Sequence, residues 1–97
     1  MIKGLIVDDE KKSRENLHIL INEFCEGVEV IGLVSNVKDA IVIIDNEHPD
    51  VVFLDIQMHK ETGFDLLEHY PKINFEVIFT TAHSEFALKA IKFCKPI

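Results

Sequence analysis

Two short apolar runs that each end in carboxylates constrain this chain more than any other feature. Val51-Val52-Phe53-Leu54 leads straight into Asp55, and Ile2-Lys3-Gly4-Leu5-Ile6-Val7 leads into Asp8-Asp9-Glu10. A continuous apolar run of this length, bounded by turn signals such as Pro49-Asp50 and Thr62-Gly63, reads as a strand covered on both faces. Strands of that kind belong to parallel sheets, whose carboxyl edge is where ligands and chemistry gather. If the two runs are neighbours, Asp8, Asp9 and Asp55 converge on one edge. Carboxylates packed that closely repel, which raises a pKa or demands a cation. Hard oxygen ligands suit Mg²⁺, and a carboxylate facing such an ion can be a nucleophile. Each piece also has a plainer reading: Asp55 as a solvated strand end, and Asp8-Asp9-Glu10 as the acidic first turn of a helix.

Helical and extended periods alternate along the rest of the chain. Leu17, Leu20, Ile21 and Phe24 fall on one face of a helix over 11–24, with Gly27 expected to end it. Val28 to Val34 reads as a second strand, nearer a sheet edge because of its charge and its Gly32. Ser35-Asn36 offers capping oxygens to a second helix whose buried stripe is Val37, Ala40, Ile41 and Ile44, and which runs out near His48-Pro49. A short helix begins at Gly63 with Phe64, Leu67 and Tyr70 facing inward, and stops before Pro71. Phe75 to Thr80 is the fourth strand, and Ser84-Glu85 opens a helix carrying Ala87, Ala90 and Ile91 on one face. Strands alternating with helices predict right-handed βαβ units and a doubly wound parallel sheet.

With 97 residues and 47% hydrophobic content, the chain is expected to be one domain, 1–97, with a genuine core. Its net charge of −7 argues against direct binding of nucleic acid, which needs clustered Lys and Arg. Cys25 and Cys94 are too few and too far apart for a disulfide framework, and both sit among apolar neighbours. No apolar run has the length of a membrane span, and a cytoplasmic location is expected. The remaining histidines, His18, His48, His59 and His69, lack metal-ligand spacing.

Asp8-Asp9-Glu10 after the first strand, Leu54-Asp55-Ile56-Gln57-Met58 with Thr62-Gly63 beyond, Val77-Ile78-Phe79-Thr80-Thr81-Ala82, and Lys95-Pro96 together resemble a bacterial response-regulator receiver domain. The run from Phe79 to Ala90 resembles the branch usually joined to a LytTR-type DNA-binding output domain. The resemblance covers nearly the whole chain. It implies a flavodoxin-like sheet of order 2-1-3-4(-5). It implies Asp55 as phosphoacceptor, with Mg²⁺ held by Asp9 directly, by Asp8 through water and by the backbone carbonyl of Gln57. It implies a sensor histidine kinase as the phosphoryl donor, and self-hydrolysis of the mark rather than conventional enzyme turnover. Thr81 matches the switch hydroxyl; Thr80 competes for that role, but Thr81 is the one that precedes Ala82. Gln57 and His83, two residues beyond Asp55 and Thr81, match positions that tune hydrolysis, a surface histidine being the plainer reading of His83, and Lys95 matches the lysine that contacts the phosphoryl group.

Two departures stand out. His59-Lys60 occupies the place after Met58 where the family often has Pro-Gly, so that loop is expected to be more mobile. Thr81 and Lys95 are also too close in sequence for a full helix and a fifth strand, given rises of ~1.5 Å and ~3.3 Å per residue. The fifth strand and last helix are therefore expected to be missing or truncated, leaving the domain incomplete at its C-terminal end and its output domain lost or on an absent part of the chain. An exposed fourth-strand edge would favour a homodimer or strand-exchanged assembly. Competing functions are a receiver-like interaction module that takes no phosphate, and a phosphatase of the haloacid-dehalogenase type. The phosphatase needs a second acid where Gln57 stands. A flavodoxin-like cofactor binder lacks its phosphate loop after the first strand.

Overall fold

Each apolar run forms a strand in the computed structural model, which describes residues 1–80. The strands are β1 (Ile2–Val7), β2 (Val28–Val34), β3 (Val51–Asp55) and β4 (Glu76–Thr80), and the helices are α1 (Lys11–Phe24), α2 (Val37–Glu47) and α3 (Gly63–Glu68). All pairings are parallel and the order is β2-β1-β3-β4. That is the expected order, with β2 at an edge. The expectations for Thr81, His83 and Lys95, the helix after Ser84, the missing fifth strand and last helix, and the assembly that depends on them lie outside the described residues.

The central strands are covered on both faces because their side chains alternate between two cores. Leu5, Val7, Val52 and Leu54 point to one face, where Val37, Ala40 and Ile44 of α2 and Leu66 of α3 cover them. Ile6, Val51 and Phe53 point to the other, against Leu17 and Ile21 of α1. Every residue of β3 is buried, and each Val, Leu or Phe fully removed from water contributes about 1.5–3 kcal/mol. This double burial holds the strand that carries Asp55.

The ends of the helices are set locally. Asn36 caps α2 by accepting from the Asp39 N–H at 2.8 Å, as its position predicts. His48 closes the same helix in the left-handed region at φ 49°, and Pro49 follows. Thr62 and Asp65 form a reciprocal capping box on α3.

Three local expectations are corrected. Helix α1 stops at Phe24 with Cys25 as its C-cap, and Gly27 has no positive φ, so it lies in the turn before β2 instead of closing the helix. Phe24, at the last turn of α1, is exposed. In α3, Leu66 is the fully buried side chain, and Phe64 is 49% exposed, its ring leaning on Phe79 of β4 with centroids 5.5 Å apart. The buried residues of this six-residue helix are Gly63 at its start and Leu66, with Leu67 packed partly against the core. Among the described residues no helix is long and apolar enough to cross a membrane.

Candidate functional site

The register places the acidic residues together. Ile6 pairs with Phe53, and Phe53 with Ile78. Two residues further along, at the carboxyl edge, Asp8 follows β1 and Asp55 ends β3 opposite Thr80. Each of Asp8, Asp9 and Asp55 offers a carboxylate oxygen within 4.8 Å of the others. Asp8 is 4% exposed and Asp55 6%. Burial raises the Asp8 pKa, with the charges of Asp9 and Glu10 adding to it, while a hydrogen bond from the Glu10 N–H to Asp8 Oδ1 at 2.9 Å works against them. Burial, and then the charge of Asp8, push Asp55 up to about 6. The Gln57 N–H, 3.3 Å from Asp55 Oδ1, opposes that rise.

This donor set fits a hard divalent cation. It is all oxygen, it lies at the mouth of the sheet, and its mutual repulsion is relieved by positive charge. Asp8, Asp9 and Asp55 are the residues that could hold Mg²⁺, and Gln57 is brought beside them by its N–H bond to Asp55.

The loop after β3 is tied by hydrogen bonds within itself and to its neighbours. The Met58 N–H donates to the Glu61 carbonyl at 3.0 Å, and the Gly63 N–H to the Ile56 carbonyl at 2.9 Å. The backbone N–H of His59 donates to the Asp9 carboxylate, a bond that a proline at that position cannot make. The residue that departs from Pro thus supplies the loop's link to the acid cluster. Glu61 adds a second link, its carboxylate accepting the Val37 N–H at 2.8 Å at the start of α2. Gly63 lies so close to β3 that a Cβ there would sit 2.5 Å from the Asp55 carbonyl oxygen and 2.9 Å from Leu54 Cγ.

Arg14 and Glu61 were not legible as site-related residues. The Arg14 guanidinium donates to the main-chain carbonyl of Asp8 at 2.7 Å; its only sequence signal is a position one turn into α1, after the acidic cluster. Glu61 has no sequence signal, since its partner is 24 positions away. The cleft lined by Ile44, His48, Tyr70 and Phe75 involves none of Asp8, Asp9 and Asp55.

Comparison with known proteins gives one consistent picture. Residues 5–94 match the response regulator receiver domain family. The transcriptional regulatory protein BtsR of Escherichia coli (strain K12) is 41% identical over 97 residues, covering 95% of this chain and 38% of that protein. The sensory transduction protein LytR of Staphylococcus haemolyticus is 41% identical over 93 residues, covering 94% of this chain and 36% of that protein. This chain thus spans well under half the length of these relatives. Among solved structures, the response regulator domain of Thermotoga maritima CheB superposes with a TM-score of 0.74 at 26% identity, covering 92% of this chain and 72% of that one. The response regulatory domain of mrkE from Klebsiella pneumoniae gives 0.72 at 26% identity, covering 99% and 84%. The relatives agree with the LytTR-type branch to which residues 79–90 point.

Proposed function

Because the chain belongs to the response regulator receiver family, we propose that Asp55 is its phosphoacceptor and that Asp8, Asp9 and the Gln57 carbonyl hold Mg²⁺ beside it. The observation that carries this reading is the convergence of three carboxylates within 4.8 Å at the carboxyl edge of a parallel sheet. The ion, when bound, supplies positive charge that offsets the anionic phosphoryl group. The chain's own residues do the rest. Burial between two strands fixes the Asp55 carboxyl, and the Gln57 N–H orients one of its oxygens. In the transfer, a bond forms between an Asp55 oxygen and phosphorus while the phosphorus–nitrogen bond of a kinase phosphohistidine breaks, its electron pair returning to the imidazole.

Thr81 is the switch hydroxyl in this reading, Lys95 the lysine that contacts the phosphoryl group, and His83 and Gln57 tune hydrolysis. The mark is lost by self-hydrolysis and not through conventional enzyme turnover. The sensor histidine kinase and a LytTR-type output domain are the partners, the latter carried by sequence such as the longer relatives have beyond the matched region. The setting is cytoplasmic, and a homodimer paired through β4 is the assembly this reading admits.

Acetyl phosphate with Mg²⁺ tests the centre of it. A base-labile label of one phosphoryl group is expected on Asp55, and none on an Asp55→Asn variant. Peptide mapping that places the label on His59 or another histidine overturns the assignment.

A further inference from the structure

Thr80 is the third member of the polar row at the sheet edge. Ile6, Phe53 and Ile78 lie side by side on β1, β3 and β4 and all face the α1 side. Side chains in a strand alternate with period two, so the residues two positions on, Asp8, Asp55 and Thr80, face that same side. Asp55 and Thr80 are direct register partners, on strands spaced ~4.8 Å apart.

Thr80 is 4% exposed, and its hydroxyl has no hydrogen-bond partner among the described residues. A buried hydroxyl left unpaired costs about 1–3 kcal/mol, which valine, of the same shape and with better strand preference, avoids. Val77, Ile78 and Phe79 before it are all apolar. The hydroxyl therefore stands beside the acid cluster without contributing to the packing.

We propose that the Thr80 hydroxyl acts on Asp55 itself, donating to its carboxyl as it leaves phosphorus and so shortening the life of the acyl phosphate. This rests on the reading of Asp55 as phosphoacceptor and adds a role separate from the Thr81 switch. In the hydrolysis, a water oxygen bonds to phosphorus and the bond from phosphorus to the Asp55 oxygen breaks. The electron pair goes to the carboxylate, and the water's proton leaves with inorganic phosphate or to solvent. Negative charge thus develops on Asp55, and a buried hydroxyl on its register partner, with no bond of its own to give up, can turn to donate to it. In the unphosphorylated chain that hydroxyl makes no hydrogen bond to the Asp55 carboxylate or to any other described residue.

The experiment labels the chain with acetyl phosphate and follows decay of the label in three variants. Thr80→Val removes the hydroxyl and keeps the shape; Thr80→Ser keeps the hydroxyl; Thr80→Ala removes both hydroxyl and methyl. The lifetime of the label is expected to lengthen ~5-fold in Thr80→Val and Thr80→Ala, the scale of one ordinary hydrogen bond. It is expected to stay near the parent value in Thr80→Ser. A merely structural role would change the lifetime with residue size, so equal change in Ser and Ala, with Val as the parent, overturns the proposal. An unchanged lifetime in Thr80→Val overturns it as well. A parent chain that takes no label removes the phosphoacceptor reading and this proposal with it, whereas a labelled parent with indifferent variants removes this proposal alone.

Discussion

At neutral pH the Asp55 carboxyl, pushed up to about 6 by burial and then by the charge of Asp8, is ionised in a place that resists ionisation. The native state holds the Asp55 proton more tightly than the unfolded chain does. Its contribution is therefore present below the ordinary value of 3.8 and is lost as pH rises through about 6. In metal-free buffer, Asp55→Asn should stabilise the fold at pH 7 by ~1–2 kcal/mol, a discounted share of what such a shift can carry. The gain should vanish by pH 3.5. Urea midpoints across that range check it, and a gain independent of pH would show that charge is not its source. Asp9 answers a different question. If it is a ligand, MgCl₂ should raise the melting temperature of the parent and leave an Asp9→Ala variant unmoved; equal Mg²⁺ stabilisation in both counts against the proposed metal set.

The elements bear on the site through their junctions. Gly63 begins α3 against the end of β3, and a methyl group there would meet the Asp55 carbonyl oxygen at 2.5 Å, a backbone atom that cannot step aside. Gly63→Ala should cost ~1–3 kcal/mol by overpacking and weaken Mg²⁺ stabilisation together with it. Gly27→Ala is the control, since nothing lies within 4 Å of its missing Cβ and its φ is not positive; equilibrium unfolding of the two variants gives the contrast. Glu61 joins the loop after β3 to the start of α2. Glu61→Ala should cost ~1 kcal/mol through the lost bond to a helix N-terminal N–H, read as faster hydrogen exchange at Val37. Protection at Val37 equal to the parent's would mean that water replaces the carboxylate without loss.

Over the whole molecule, a net charge of −7 opposes compaction, and the three site carboxylates concentrate that opposition at one edge. Sodium chloride should stabilise the chain gradually by screening, because exposed charges are muted over a length of ~8–10 Å near physiological salt. Magnesium at matched ionic strength should give a larger rise in melting temperature, saturating with concentration, since a site fills whereas screening does not. Coincident curves for the two salts would reduce the acidic edge to general electrostatics.

The strands, the helices and the acidic cluster were legible in sequence for a simple reason. Hydrophobic period and chain punctuation are local, and β3, buried on both faces, writes itself as an unbroken apolar run ending in Asp55. The Asn36 cap and the stop at His48-Pro49 are local in the same way. Contacts between distant segments were not legible. That Leu66 and not Phe64 enters the core depends on how α3 lands on the sheet. The links from His59 to Asp9 and from Glu61 to Val37 join residues 50 and 24 positions apart, and only the fold brings them into reach. Thr80 shows the division most clearly. Its sequence marks a β-branched strand residue, while its place beside Asp55 comes from strand register, which is set by the packing of both faces at once.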